Sequence, residues 1–301
     1  MKFLAYARDT HHLGMLLDTE TVFDLTTAWP DDAITPAPRH VGELLALGDA
    51  GIERAQTLAR EHAGAARFTA RLADLRLLAP IPRPRKNIFC IGRNYREHII
   101  EGNRARGRDP HDFPKVIEVF TKPPTTVIGP DAVIAAHAHV TRELDYEVEL
   151  GVVIGKSGID IPAEKAMEHV FGYTIINDIS ARDLQKAHGQ WFKGKALDRH
   201  CPMGPWVVHK QAVADPHTLS IQLDVNGERR QDSNTADLLF KIPDIIAQLS
   251  AGMTLEAGDI IATGTPSGVG LGLVPPRYLQ KGDVVTARIE GLGVLRNTIG
   301  D

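Results

Sequence analysis

The run from Thr141 to Gly155, TRELDYEVELGVVIG, constrains this chain more than any other part of it. In an extended strand, successive side chains point to opposite faces. Leu144, Tyr146, Val148, Leu150, Val152 and Ile154 then share one face, all apolar or aromatic. Glu143, Asp145, Glu147 and Glu149 share the other, followed by Gly151. The first face needs a core. The second stacks like charges, which repel by roughly a few tenths of a kcal/mol each. A cation should stand against them, either a metal ion or Arg and Lys side chains. The alternative is a solvated edge strand with an acidic outer face, and periodicity alone leaves both open.

Around this run lies an ordinary globular composition. A chain of 301 residues, 43% hydrophobic and 24% charged, can bury a large core and suits one large domain plus a small one. The net charge of -4 is spread along the sequence, with no basic block for nucleic acid and no polybasic helix for a membrane surface. The start, MKFLAYARD, has too short an apolar run for a signal peptide, and no stretch is long enough to span a bilayer. Cys90 and Cys201 lack metal-site spacing, and Cys90 within Ile88 to Ile91 reads as a buried free thiol. These features fit a reducing cytoplasm.

Residues 1–80 read as a small α/β N-terminal domain with a packing or dimer-contact role. Lys2 to Ala7 forms a strand, and two apolar runs flank Asp18 to Thr21 as a hairpin. Residues 41–63 show helical spacing with a break at Gly48 to Gly51. The proline-rich stretch Ala79 to Lys86 marks a boundary, and a second domain covers 85–301.

In that second part, the strand Asn87 to Gly92 leads into a helical segment where His98 and Glu101, three apart, share a face. A carboxylate beside an imidazole orients it and raises its basicity, as a general base requires, although such pairs also occur on plain surfaces. Residues 102–114 are polar and turn-rich, a candidate lid. His137 and His139 would share a strand face, but no third ligand is spaced to make a zinc site with them. Asp178 ends an apolar strand and either caps the following helix or joins Glu147 and Glu149 in a carboxylate cluster. Asn226-Gly227 marks a hairpin, and 235–250 is helical in pattern despite Pro243. The glycine-rich loop after Asp259 to Ala262 lacks the lysine of a phosphate loop, and its glycines would let backbone approach a small ligand. No βαβ rhythm appears, so the fold is α+β and mainly β.

Five segments, in order, resemble the fumarylacetoacetate hydrolase family. They are Gly92 to Tyr95 with His98 and Glu101; Glu147 to Gly155; Asn177-Asp178 with Ala181 to Gln185; Gly194-Lys195 with Cys201 to Pro205; and Thr263 to Gly270. The resemblance implies a β-roll catalytic domain, a homodimer, and a divalent metal on Glu147, Glu149 and Asp178. It makes His98, Glu101 and Lys195 catalytic and places Gln185 and Thr265 with Lys195 on the substrate; three acids against one dication leave a negative charge, so an anionic substrate needs a further cation, for which Arg182 is a candidate beside Lys195. Glu143 and Asp145 lie outside the family's ligand pattern and read as exposed or paired. One departure is Ala196-Leu197-Asp198, where many members carry Ser-Phe, so the surroundings of Lys195 differ.

Three carboxylates without a thiolate suit magnesium or manganese, with calcium a further candidate. The activity implied is hydrolysis of a carbon–carbon bond in a diketo acid or acylpyruvate through an enolate. His98, oriented by Glu101, deprotonates water; hydroxide attacks the distal carbonyl; Lys195 and Gln185 stabilise the alkoxide. The same site supports isomerisation of 2-hydroxyhepta-2,4-diene-1,7-dioate-type compounds or decarboxylation of oxaloacetate. Long members of the family often serve aromatic or sugar-acid breakdown. From another class stands a non-catalytic, metal-stabilised binding module. The partner expected is a small carboxylate, with neither nucleic acid nor membrane.

Overall fold

The computed structural model describes residues 1–30 and 36–301. Its strand-rich α+β architecture has two main sheets. The larger runs in the order Thr69–Arg71, Thr21–Asp24, His11–Leu16, Lys2–Ala7, Cys201–His209, Val170–Asn177, Val148–Ile154, Ile260–Ala262, Ile88–Gly92 and Glu118–Lys122. The smaller runs Glu228–Asn234, Ser220–Val225, Val284–Ile289, Gly293–Gly300 and Val133–Ala135.

The acidic strand is central, not an edge. Val148–Ile154 pairs antiparallel with Val170–Asn177 on one side and with Ile260–Ala262 on the other. Its even-numbered residues, from Leu144 to Ile154, all enter the core formed with Ile221, Leu223, Val285 and Ile289 of the smaller sheet. The odd face changes character along its length. Glu147 and Glu149 come first, then Gly151, then Val153, which packs with Val41, Leu44 and Phe3 from the N-terminal region. The solvated-edge alternative therefore fails, because both faces are covered. The strand is also interrupted: Leu144–Asp145 pairs separately with Ser180–Ala181, and Tyr146 and Glu147 lie between the two pieces.

The N-terminal strands extend the same large sheet. Lys2 and Phe3 pair with Val208 and Val207. The proline-rich stretch is packed rather than free, with Ala79 and Ile81 buried in the core shared by both halves.

The hairpin at Asn226-Gly227 forms as expected, both residues at positive φ, which matches the twist of the strands it joins. Four expectations shift. The helical break falls at Leu47, with Gly48 at φ 65 opening the helix Gly48–His62. The helix expected over 235–250 begins at Ile242, so Pro243 sits in its first turn where no N–H is needed. Residues 102–105 belong to the helix Arg96–Ala105, so the lid segment is helical at its start. His137 and His139 lie beyond the end of Val133–Ala135 in a turn with His137 at φ 44, not on a strand face.

Candidate active site

Several strand ends meet at one rim of the large sheet. Glu147 and Glu149 stand at the start of Val148–Ile154. Val148 pairs with Asn177, which places Asp178 beside them. The loop after Ile260–Ala262 and the turn after Ile88–Gly92 leave from the same rim, because those strands run antiparallel to Val148–Ile154.

At this rim one oxygen each from Glu147, Glu149 and Asp178 lies within 4.8 Å of the others, and all three residues are buried. Asp178 is therefore a member of the cluster and not a helix cap; the helix Arg182–Ala187 starts at Ala181 without a side-chain cap. Two lysines serve the cluster. Lys195 Nζ donates to Glu147 Oε2 at 2.7 Å and to Asp178 Oδ2 at 2.6 Å. Lys122 Nζ donates to Asp178 Oδ1 at 2.6 Å and to the Ile179 carbonyl at 3.0 Å. Arg182 adds an ion pair to Glu147 Oε1 at 2.6 Å.

Glu149 is different. Among the described residues its carboxylate has one hydrogen-bond donor, the Gly264 N–H at 2.7 Å, and no ion pair. Burial, then the charges of Asp178 and Glu147, push its carboxyl well above the ordinary glutamate value. Burial would raise Glu147 too, but Lys195 and Arg182 outweigh it and hold that carboxyl well below the usual range. Burial opposes the charge on Lys195, yet Asp178 and Glu147 raise its pKa and keep it an ammonium. The cluster thus has one acid without a cation. A hard divalent ion fits that vacancy of charge and the all-oxygen donor set.

His98 and Glu101 face each other from one side of Arg96–Ala105, with His98 Nδ1 3.4 Å from Glu101 Oε2. Glu101 is held in turn by the Gly268 N–H, at 3.0 Å to Oε1. A Cβ on Gly272 would come within 2.1 Å of Glu101 Oε1, so this loop must be glycine-rich to approach so closely.

Of the nine residues singled out by sequence, eight line one cavity: His98, Glu101, Glu147, Glu149, Arg182, Gln185, Lys195 and Thr265. Asp178 lies beneath, fully buried. Arg182 Nε donates to Asp145 Oδ2 at 2.8 Å and Nη1 to Gln185 Oε1 at 3.1 Å. That contact fixes the Gln185 amide and leaves its NH2 as the donating end. The Thr265 hydroxyl donates to the Val148 carbonyl and accepts from Gln231.

Sequence reasoning missed two participants, Lys122 and Arg106, and left the role of a third, Asp145, open. Lys122 stands 56 positions from its partner Asp178, and nothing local in Phe120 to Pro124 marks it. Asp145, read as exposed or paired, is fully buried and paired: besides Arg182 it accepts from the N–H groups of Gly270 and Leu271 at 2.7 and 3.1 Å. Arg106 lines the cavity from just past the end of Arg96–Ala105.

The fumarylacetoacetate hydrolase C-terminal model matches residues 87–300. The chain belongs to the fumarylacetoacetate hydrolase family. It is similar, at 48% identity over 294 residues covering 96% of each chain, to the oxaloacetate tautomerase YisK of Bacillus subtilis (strain 168). A fumarylacetoacetate hydrolase structure from psychrophilic Exiguobacterium antarcticum superposes with a TM-score of 0.81 at 40% identity, over 100% of this chain and 99% of that one. A 5-carboxymethyl-2-hydroxymuconate delta-isomerase structure from Mycobacterium smegmatis gives 0.74 at 30% identity, over 100% and 99%. Members of this family similar to the chain are enzymes, and the chain is one. The likenesses support isomerising chemistry at least as well as the carbon–carbon hydrolysis expected first. Among the described residues no helix is long and apolar enough to cross a membrane.

Proposed function

We propose that this enzyme moves a proton between carbon and oxygen of a small 2-oxo acid, interconverting its keto and enol forms, with oxaloacetate as the substrate class. The observation that carries this reading is the convergence of the His98–Glu101 pair and the Glu147–Glu149–Asp178 cluster on one cavity. The extensive likeness to an oxaloacetate tautomerase supports it.

Glu147, Glu149 and Asp178 would hold a divalent ion, which when bound supplies Lewis-acid polarisation of a carbonyl oxygen. The remaining work falls to side chains. His98 takes the proton from the carbon beside the keto group and delivers it to oxygen. Its Nδ1 faces Glu101, so Nε2 is the atom that exchanges the proton, and Glu101 holds the ring while charge develops. Lys195 uses two of its three N–H bonds on Glu147 and Asp178, leaving one for the oxygen that becomes negative. The NH2 of Gln185 is a second donor to that oxygen. Phe120, whose ring centroid lies 4.8 Å from Lys195 Nζ, shields the ammonium from water.

The test is decay of the oxaloacetate enol absorbance with magnesium or manganese. The wild-type enzyme should accelerate it well beyond buffer, and His98→Gln should lower kcat/KM by about 100- to 10,000-fold while metal affinity is retained. An undiminished rate in His98→Gln would remove the assignment of the base. Hydrolysis of an acylpyruvate is the second reading, favoured by the likeness to a fumarylacetoacetate hydrolase. Release of pyruvate and a carboxylic acid, with no enol decay beyond buffer, would put it first.

A further inference from the structure

The cavity is rich in cations, and all but one have a carboxylate of their own. Lys195 serves Glu147 and Asp178, and Arg182 serves Asp145 and Glu147. Arg93 pairs with Glu118 at 2.9 Å, and His98 faces Glu101. Arg106 is the exception. Among the described residues its guanidinium makes no ion pair, and its one side-chain hydrogen bond runs from Nη1 to the Gly102 carbonyl at 3.4 Å. Arg106 is an exposed residue at the end of a helix, and its guanidinium, Nη1 beside Gly102, lines the mouth of the site. Partial burial of the group, then repulsion from Arg182 and Arg108, lowers its pKa against the pull of Glu147, and a bound anion would act in the opposite direction.

We infer that Arg106 is a specificity residue that binds the distal carboxylate of a dianionic 2-oxo acid. The reacting end, carbonyl and first carboxylate, belongs with the acidic cluster, Lys195 and Gln185. Arg106 follows the last turn of the helix carrying His98 and Glu101 and lines the same cavity without a carboxylate of its own, so it is the cation there that is free to take a second carboxylate of the substrate. A guanidinium makes charge-assisted and often bidentate contacts to a carboxylate. A monoanionic substrate ending in a methyl or an ester leaves it unpaired. This inference rests on the proposed function above and names the feature that sets substrate class.

The experiment compares oxaloacetate with its 4-ethyl ester. The ester keeps the enol chromophore and the reacting end but lacks the distal charge. Wild type, Arg106→Gln and Arg106→Lys are assayed with saturating magnesium. The wild-type enzyme should prefer oxaloacetate by about 10- to 100-fold in kcat/KM, the scale of one charge-assisted contact. Arg106→Gln should abolish the preference, chiefly by raising KM for the dianion, and Arg106→Lys should restore part of it. Equal losses on both substrates, or no preference in the wild type, would overturn the inference. If neither compound is turned over, calorimetric binding of the same pair to the magnesium-loaded proteins decides. Selective loss of oxaloacetate binding in Arg106→Gln would keep the inference and reject only the tautomerase reading. Equal binding of the two compounds would reject the inference itself.

Discussion

Glu147 and Glu149 occupy the same strand face two residues apart, yet their removal should change stability in opposite directions. Oxygens of the three acids lie within 4.8 Å of one another. At that separation two unit charges repel by about 3.5 kcal/mol at an effective dielectric near 20. Glu149 has two such neighbours and no cation, and Lys195, held between those neighbours, offsets about half of the repulsion. Proton uptake sets a ceiling: from a usual value of 4.5, the cost at pH 7.5 is at most about 4 kcal/mol. Glu149→Gln removes the charge and keeps an oxygen for the Gly264 N–H. In the presence of chelator it should therefore raise stability by about 1–3 kcal/mol. Glu147→Gln breaks pairs with Lys195 and Arg182 inside the protein and should lower stability by about 3–5 kcal/mol.

Urea unfolding at pH 7.5, with chelator and then with magnesium, reads both effects. Magnesium at 100 times its Kd adds about 2.7 kcal/mol to the wild type and little to Glu149→Gln, so the gain from the substitution shrinks or reverses. The pH dependence has a fixed sign. A carboxyl raised in the folded state contributes stability that is fully present below the usual glutamate value and is lost as pH rises through the raised value. Glu149→Gln should remove that slope from the metal-free protein. If both substitutions destabilise the chelated protein to the same extent, the charge account of this cluster is wrong.

Two further outcomes follow from buried groups. Asp145→Asn puts an amide where one carboxylate accepts from Arg182, Gly270 and Leu271; it should cost about 3–5 kcal/mol in urea unfolding and lower kcat/KM, because Arg182 also holds Glu147. His200 is fully buried, and burial, then the charge of Lys122, pushes its imidazole down to about 3. Its contribution is intact above the unfolded value near 6.5 and is lost as pH falls from there towards 3; His200→Gln should reduce by about one the proton uptake linked to unfolding over that range, as read from the pH dependence of the urea midpoint.

Much of this arrangement was legible because it is local. Alternation along Leu144 to Ile154 identified a core face that the structure fills with all six residues. Spacing put His98 and Glu101 on one helix face, and the resemblance joined them to the acids and Lys195. What periodicity left open was which outcome the acidic face would meet, because that depended on strands far away in sequence. The N-terminal region and Ile260–Ala262 cover what could have been an edge. Lys122 was obscured for the same reason: an ion pair across 56 positions leaves no trace in either segment. Asp145 could be read only as exposed or paired, because its partner Arg182 is 37 positions away. The turn at His137 escaped because a left-handed residue of that type has no strong local signal.

Among the described residues, two charges of opposite sign in one cavity have no ion-pair partner, and together they define the ligand. Glu149 is a buried acid among acids, and Arg106 is a cation among cations that are already paired. A chain optimised only for its own stability would neutralise Glu149, since a buried unpaired charge is costly. The coexistence of Glu149 and Arg106 in one cavity, which His98 and Lys195 also line, suits a ligand set with both a cation and an anion. A substrate that chelates through a 2-oxo carboxylate and carries a second carboxylate meets both demands. On the proposed reading, the reaction depends on which proton His98 moves. Delivery to the enolate oxygen gives the tautomer, whereas abstraction from a bound water would give hydrolysis. On the same reading the distal group decides which is available: a carboxylate held by Arg106 would resist attack by hydroxide, and an acyl ketone in the same place would invite it.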